Sequence, residues 1–196
     1  MTTSICGAYF SFDNPAILEA DIEEKLDVPQ TTYSLLYSFY SMPNMVLPFV
    51  GGMLFDYIGY DKGILITTGL VLLGQCLAAF GGFQESFGLI LAGRLLFGFG
   101  AETLWVVQAV YLSKWFFDQE MSFAIGINYA VPNIFSTIAG STVPRVYGHK
   151  GFGYALGIGA TFTIVSFCMA ICLVILDKRM EAHDKEIEEA ILLGEV

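Results

Sequence analysis

The chain has 196 residues, 55% of them apolar and 14% charged, with a mean hydropathy of +0.63 and a formal net charge of −10. Apolar runs of about 20 residues with so few charges describe an all-α polytopic membrane protein and exclude a soluble domain, and runs that are continuous rather than alternating argue against a β-barrel. So few basic residues argue against a nucleic-acid partner and against adhesion to an anionic lipid surface through a basic patch.

The first apolar segment, residues 1–12, would reach about 18 Å as a helix, short of the roughly 30 Å hydrocarbon core. It lacks the basic flank of a signal peptide. Either it is the second half of a helix whose start is missing or the membrane is thin there. Asp13-Asn14-Pro15 then marks a helix start, with Asn14 as N-cap and Pro15 at the first position. Leu18, Ile22 and Leu26 give an apolar stripe to an acidic helix over residues 15–27, expected to lie in the membrane interface.

A second span is expected over residues 31–55, kinked by Pro43 and Pro48. Tyr33, Tyr37, Tyr40 and Asn44 share one of its faces, which is either packing or a wet wall. A polar turn from Gly51 to Gly63 leads to a third span, 64–83, plain apart from Gln75 and expected to face lipid.

The fourth span, 89–117, carries two opposite charges, Arg94 and Glu102. A charge at the bilayer centre costs roughly 2.5–3.5 kcal/mol on insertion scales, so each must face a bundle interior or a watery cavity. Along one helix the two sit about 12 Å and about 80° apart. They are not expected to pair, and each needs its own partner, water or ligand. Both can be structural pins; Glu102 can equally be a ligand group. Gly98 and Gly100 between them let a neighbouring helix approach closely.

The fifth span, 122–146, aligns Tyr129, Asn133, Ser136, Thr137 and Gly140 on one face, with Pro132 interrupting the backbone ladder. That face is either a set of interhelical hydrogen bonds, worth about 1 kcal/mol or less each, or a cavity wall. The sixth span, 152–176, is apolar with scattered glycines and reads as outer scaffold. Residues 177–196 form a polar amphipathic C-terminal helix, with an apolar stripe of Leu176, Met180, Ile187 and Ile191.

Counting basic residues by side puts Lys62, Lys114, Lys178, Arg179 and Lys185 against Lys25, Arg145 and Lys150, which places both termini in the cytoplasm or its equivalent. Gly52–Gly63 aligns with Gly140–Gly151 at an offset of 88 residues. That is three spans, as an inverted 3+3 repeat requires. Cys6, Cys76, Cys168 and Cys172 lie in apolar stretches and are expected to be unpaired, and no metal-ligand spacing is present. No cofactor is expected. No nucleophile, base and orienting group can be assembled, so the chain is not expected to be an enzyme.

These residues carry a resemblance. Gly52-Met53-Leu54-Phe55-Asp56 with Gly59 and Lys62 resembles the loop signature of the major facilitator superfamily, and Arg94, Gly98 and Gly100 resemble its fourth-helix motif. The stretch from Phe12 to Asp56, the stretch GRLLFGFGAETLWVVQAVYLSKWF from Gly93, and Leu176-Asp177-Lys178-Arg179 resemble the major facilitator superfamily domain-containing protein 1 family. The resemblance implies one six-helix half of a major facilitator fold, with the first helix truncated and a second half, a homodimer mate or a larger membrane complex as partner within the lipid bilayer. It also implies lysosomal dipeptide uniport with a glycosylated lumenal partner, and it implicates Glu102 in holding a dipeptide terminus. The family's fifth-helix arginine falls on Asn133, which cannot neutralise a carboxylate. Usually basic loop positions are Tyr57, Tyr60 and Asp61.

The expected function is therefore a half-transporter for a small zwitterionic solute such as a dipeptide or amino acid, with Glu102, Asn133, Asn44 and Tyr37 lining its cavity. The alternative is a transporter-derived structural subunit without transport activity. The location is an internal membrane, lysosomal by resemblance, with a mitochondrial membrane as another possibility.

Overall fold

The computed structural model describes residues 2–116 and 118–192; the side chains of Asp56 and Ile191 lie outside the described residues. All regular structure among them is helical. Helix α1 (Thr2–Phe12) leads through α2 (Asn14–Ile17) and α3 (Glu19–Leu26) to α4 (Gln30–Tyr33) and α5 (Leu35–Ser41). A 3₁₀ turn (Met42–Met45) joins α5 to α6 (Leu47–Ile58), and α7 (Tyr60–Phe83), α8 (Phe87–Trp115), α9 (Asp118–Lys150) and α10 (Phe152–Leu192) follow.

Three of these, α7, α8 and α10, are long and apolar enough to cross a membrane. The other expected spans depart from that pattern for separate reasons. Helix α1 has only 11 residues. The second span is not one kinked helix but a series of pieces: Pro43 lies in the 3₁₀ turn, and Pro48 lies in the first turn of α6, where its missing N–H leaves no bond unmade. Helix α9 is 33 residues long, with Pro132 and Pro144 inside it and polar residues along one face.

Two other expectations change. Asn14 does not cap α2; Asp13 holds the N-cap position and Asn14 is fully buried. The Asp13 carboxylate instead accepts the Ser136 hydroxyl of α9, tying the end of α1 to the fifth span. The polar turn from Gly51 to Gly63 shrinks to one residue, Gly59, whose φ of 93° is open at little cost only to glycine. Gly151, with φ 91°, turns α9 into α10 in the same way. The 88-residue alignment pairs Gly151 with Gly63, which lies inside α7 against the Phe55 ring, so its register fails at the turns.

Helix α7 was expected to face lipid, yet it packs along both α8 and α10. Gln75 is fully buried and donates through Nε2 to the Leu156 carbonyl of α10 at 3.0 Å. The seam with α8 is made by small residues. A Cβ on Gly74 would lie 2.4 Å from the Phe97 nitrogen, one on Gly93 2.5 Å from the Ala78 nitrogen, and one on Gly100 2.6 Å from the Thr67 oxygen. Lipid is as apolar as leucine, so helices in a bilayer associate through such close backbone packing.

The core forms three clusters along the bundle. Phe10, Leu18, Ile22, Leu36 and Phe152 fill one end, Phe97 and Val71 the middle, and Ile5, Phe55, Leu104 and Val107 the other end. Leu18 and Ile22 belong to the acidic interfacial segment, whose apolar stripe is thus sunk into the bundle. At the opposite end the Asp177 carboxylate, 3% exposed, accepts from Lys114 at 3.0 Å and from the Trp115 indole at 3.1 Å, while Lys114 also reaches Glu181 at 2.6 Å. This network fastens α8 to α10. The sixth span and the tail are one uninterrupted helix, and Met180 and Ile187 of its stripe remain about half exposed.

Candidate functional site

Helix α8 delivers its two charges to different surroundings. Arg94 points at the C-terminal end of α1. Its Nη2 donates to the Ser11 carbonyl at 2.8 Å and its Nη1 to the Phe12 carbonyl at 3.3 Å. The last carbonyls of a helix have no intrahelical partners and carry the negative end of its dipole, so a guanidinium there both bonds them and is compensated by them. The guanidinium also sits over the Phe97 ring, 5.3 Å from its centroid. Arg94 is 3% exposed, and among the described residues no carboxylate lies within ion-pair distance of it. It is a clamp on α1.

Lysine carries a point charge on a flexible stem and cannot present the planar fork that spans two carbonyls. Arg94→Lys should therefore leave one carbonyl underbonded, at about 1–3 kcal/mol. That is a drop of roughly 2–12 °C in the thermal midpoint for a chain of this size. Thermal unfolding in detergent measures it, and an unchanged midpoint would refute the clamp.

Tyr37, expected beside Glu102, belongs with Arg94. It packs edge-on to Phe12 at 6.4 Å and to Tyr33 at 6.0 Å, and it lines a small void with Phe12 and Arg94. Its hydroxyl is buried near that of Tyr33, which donates to the Pro15 carbonyl at 2.9 Å.

Glu102 lies two turns beyond Arg94 and is partly exposed. Tyr40 of α5 and Tyr9 of α1 are its electrostatic neighbours. Alongside is a cavity of about 200 Å³ whose lining includes Tyr9, Phe12, Tyr40, Phe97 and Trp105. Trp105, three residues after Glu102 and therefore on the same face of α8, meets Tyr9 edge-on at 5.4 Å and stacks on Tyr129 of α9 at 5.1 Å. A carboxylate beside aromatic faces suits an organic ammonium, which gains both a charge-assisted hydrogen bond and cation–π attraction.

Asn133 lies one turn after Tyr129. Its side chain donates to the Tyr129 carbonyl at 2.7 Å, and the Thr137 hydroxyl donates to the Asn133 carbonyl at 3.0 Å. Both side chains are exposed on the face of α9 that Tyr129 shares. Asn44 is exposed on the 3₁₀ turn, with no hydrogen bond to the Glu102 group among the described residues. The structure thus joins Glu102 to Tyr40, Tyr9 and Trp105, links Asn133 to them through Tyr129, and leaves Tyr37 and Asn44 elsewhere. The sequence reading missed Tyr9 and Trp105. The spacing of Trp105 from Glu102 was a usable signal; Tyr9 sat in a segment that looked too short to matter.

Residues 1–193 match the family description Major Facilitator Superfamily. The chain belongs to the major facilitator superfamily. It is similar to the lysosomal dipeptide transporter MFSD1 of Mus musculus, 37% identical over 186 residues that cover 89% of this chain and 40% of that protein. The Homo sapiens and Danio rerio proteins of the same name are 36% and 34% identical over the same coverage. The chain thus spans about two fifths of the length of these curated relatives. The superfamily consists of membrane transporters rather than enzymes.

Its motif residues can be placed on that basis. In this major facilitator chain Gly98 receives the backbone of α5, since a Cβ there would lie 2.5 Å from the Tyr40 carbonyl oxygen, and Gly100 receives α7. Gly98 thus sets how closely α5, which carries Tyr40, approaches α8, which carries Glu102. Gly59 makes the loop turn, Gly52 faces open space, and Lys62 is exposed on the first turn of α7; the Asp56 side chain lies outside the described residues.

Proposed function

We propose that this chain forms one six-helix half, built as a 3+3 inverted repeat, of a transporter for a small zwitterionic solute such as a dipeptide or amino acid. Glu102 anchors the solute's ammonium among Tyr9, Tyr40 and Trp105, and a second half, whether on the same polypeptide, a homodimer mate or another subunit, supplies the opposite wall. The observation that carries this reading is the Glu102 carboxylate, partly exposed at membrane depth beside an aromatic cavity. An uncompensated carboxylate is costly in a bilayer and is kept where it meets a ligand or water. The relatives' name, lysosomal dipeptide transporter, supports the solute class and a lysosomal membrane.

The reading is tested on the solute. Uptake of a labelled dipeptide into vesicles holding the chain with its second half should be competed by unlabelled dipeptide and not by the same dipeptide N-acetylated, which has no ammonium. Equal competition by both would remove Glu102 as the anchor.

A second reading is a structural subunit without transport activity. The observation favouring it is that the chain's buried arginine is committed to the α1 carbonyls, while Asn133 stands where the family resemblance places a cation. On this reading the chain assembles into a larger complex and no zwitterion stabilises it.

A further inference from the structure

Away from the Glu102 site, the structure has an open groove of about 890 Å³ where α7, α9 and α10 meet. Its floor is apolar or weakly polar, with Cys76 and Phe80 from α7, Thr142 from α9, and Gly157 and Thr161 from α10. Its rim carries two cations, Arg145 and Lys150, with His149 between them along the last turns of α9. Among the described residues no aspartate or glutamate lines it. Among the described residues neither Arg145 nor Lys150 has a carboxylate at ion-pair distance, and the only partner of Lys150 is the Tyr154 ring at 5.9 Å. Elsewhere in the bundle Lys25 pairs with Glu85 at 2.9 Å, Lys114 with Asp177 and Glu181, and Arg94 bonds α1, while Lys62 and Lys178 share their pocket with the carboxylates Asp61 and Glu181. Unpartnered positive charge on an apolar groove is a local exception in a chain of net charge −10.

We infer that this groove seats an anionic glycerophospholipid of the surrounding leaflet. One acyl chain lies between α7, α9 and α10, and the phosphate is at Arg145 and Lys150. Two features of the groove commit it to this occupant. Its floor is formed in part by α7 and α10, both apolar enough to span the membrane, so hydrocarbon bathes it. Its cations cluster at the helix ends, at the depth of head groups, and basic residues there favour anionic lipid by roughly fivefold each. A zwitterionic lipid brings the same phosphate but also a cation that the rim repels. The low overall content of bases argues against electrostatic adhesion of the whole chain to a surface, and the inference concerns one bound lipid.

The experiment is native mass spectrometry of the purified chain in detergent, offered equal amounts of phosphatidylglycerol and phosphatidylcholine with matched acyl chains. The expected result is one retained lipid, with phosphatidylglycerol preferred on the order of tenfold. The double variant Arg145→Gln, Lys150→Gln should lose that preference; both side chains are exposed, so folding is not at stake. Gly157→Leu should lose the lipid while keeping the rim charges. A Cβ there meets nothing nearer than the Phe83 ring at 3.8 Å, so the added side chain is tolerated and fills the groove. Equal retention of the two lipids, or a preference unchanged in the double variant, would overturn the inference. So would a wild-type dimer that Gly157→Leu dissociates, because the groove would then be an interface between copies.

Discussion

Glu102→Gln is expected to lower solute uptake by on the order of 10- to 100-fold, with folding unchanged. The size follows from what the amide cannot do. A hydrogen bond to an ionised group is worth about 1.5–3 kcal/mol net, against roughly half that between neutral partners, and each 1.4 kcal/mol is tenfold in affinity. Glutamine keeps the shape and one acceptor, but its NH₂ faces an ammonium with donors against donors. The loss should therefore appear in the solute concentration needed for half-maximal uptake. Stability should move little, because the carboxylate is partly exposed and the amide is nearly isosteric with it. Uptake kinetics in vesicles, with the thermal midpoint as the folding control, measures both. Unchanged uptake would remove Glu102 as the anchor, and full assembly with no uptake by the wild type would favour the structural-subunit reading.

The class of the molecule was legible because it follows from composition: long apolar runs with few charges permit little other than membrane helices. The separate fates of Arg94 and Glu102 were legible too, because helical geometry fixes their separation. The partner of Arg94 was not. It is a pair of backbone carbonyls at the end of α1, and a carbonyl leaves no mark in a sequence. The same holds for Asp13 and Ser136, which meet across 123 residues with no local pattern pointing from one to the other.

The aromatic stripe of the second span shows where periodicity runs out. Tyr33, Tyr37 and Tyr40 share a face as long as the helix continues, but the 3₁₀ turn at Pro43 breaks the register before Asn44, so Asn44 does not extend their row. Helix α7 failed differently. In water a buried helix face announces itself as an apolar stripe. In a bilayer both faces are apolar, and burial is marked by small residues alone. Gly74, Ala78, Gly81 and Gly82 are that mark.

The small-residue seam between α7 and α8 gives the largest expected effect on stability. Gly93→Ala places a methyl 2.5 Å from the Ala78 nitrogen and 2.7 Å from the Gly74 oxygen, and Gly74→Ala places one 2.4 Å from the Phe97 nitrogen. These are backbone atoms, which cannot swing aside, so the helices must separate along their length. Overpacking of this kind costs about 1–3 kcal/mol and occasionally more, or roughly 2–12 °C and upward in the thermal midpoint. The control is Gly140→Ala on α9, where a Cβ meets nothing within 4 Å. Alanine is the better helix former by about 0.5–1 kcal/mol, so that substitution should raise the midpoint. The same chemical change thus has opposite signs at two helical glycines, and only the facing backbone decides which. If Gly93→Ala and Gly140→Ala shift the midpoint alike, the seam is not closed as described.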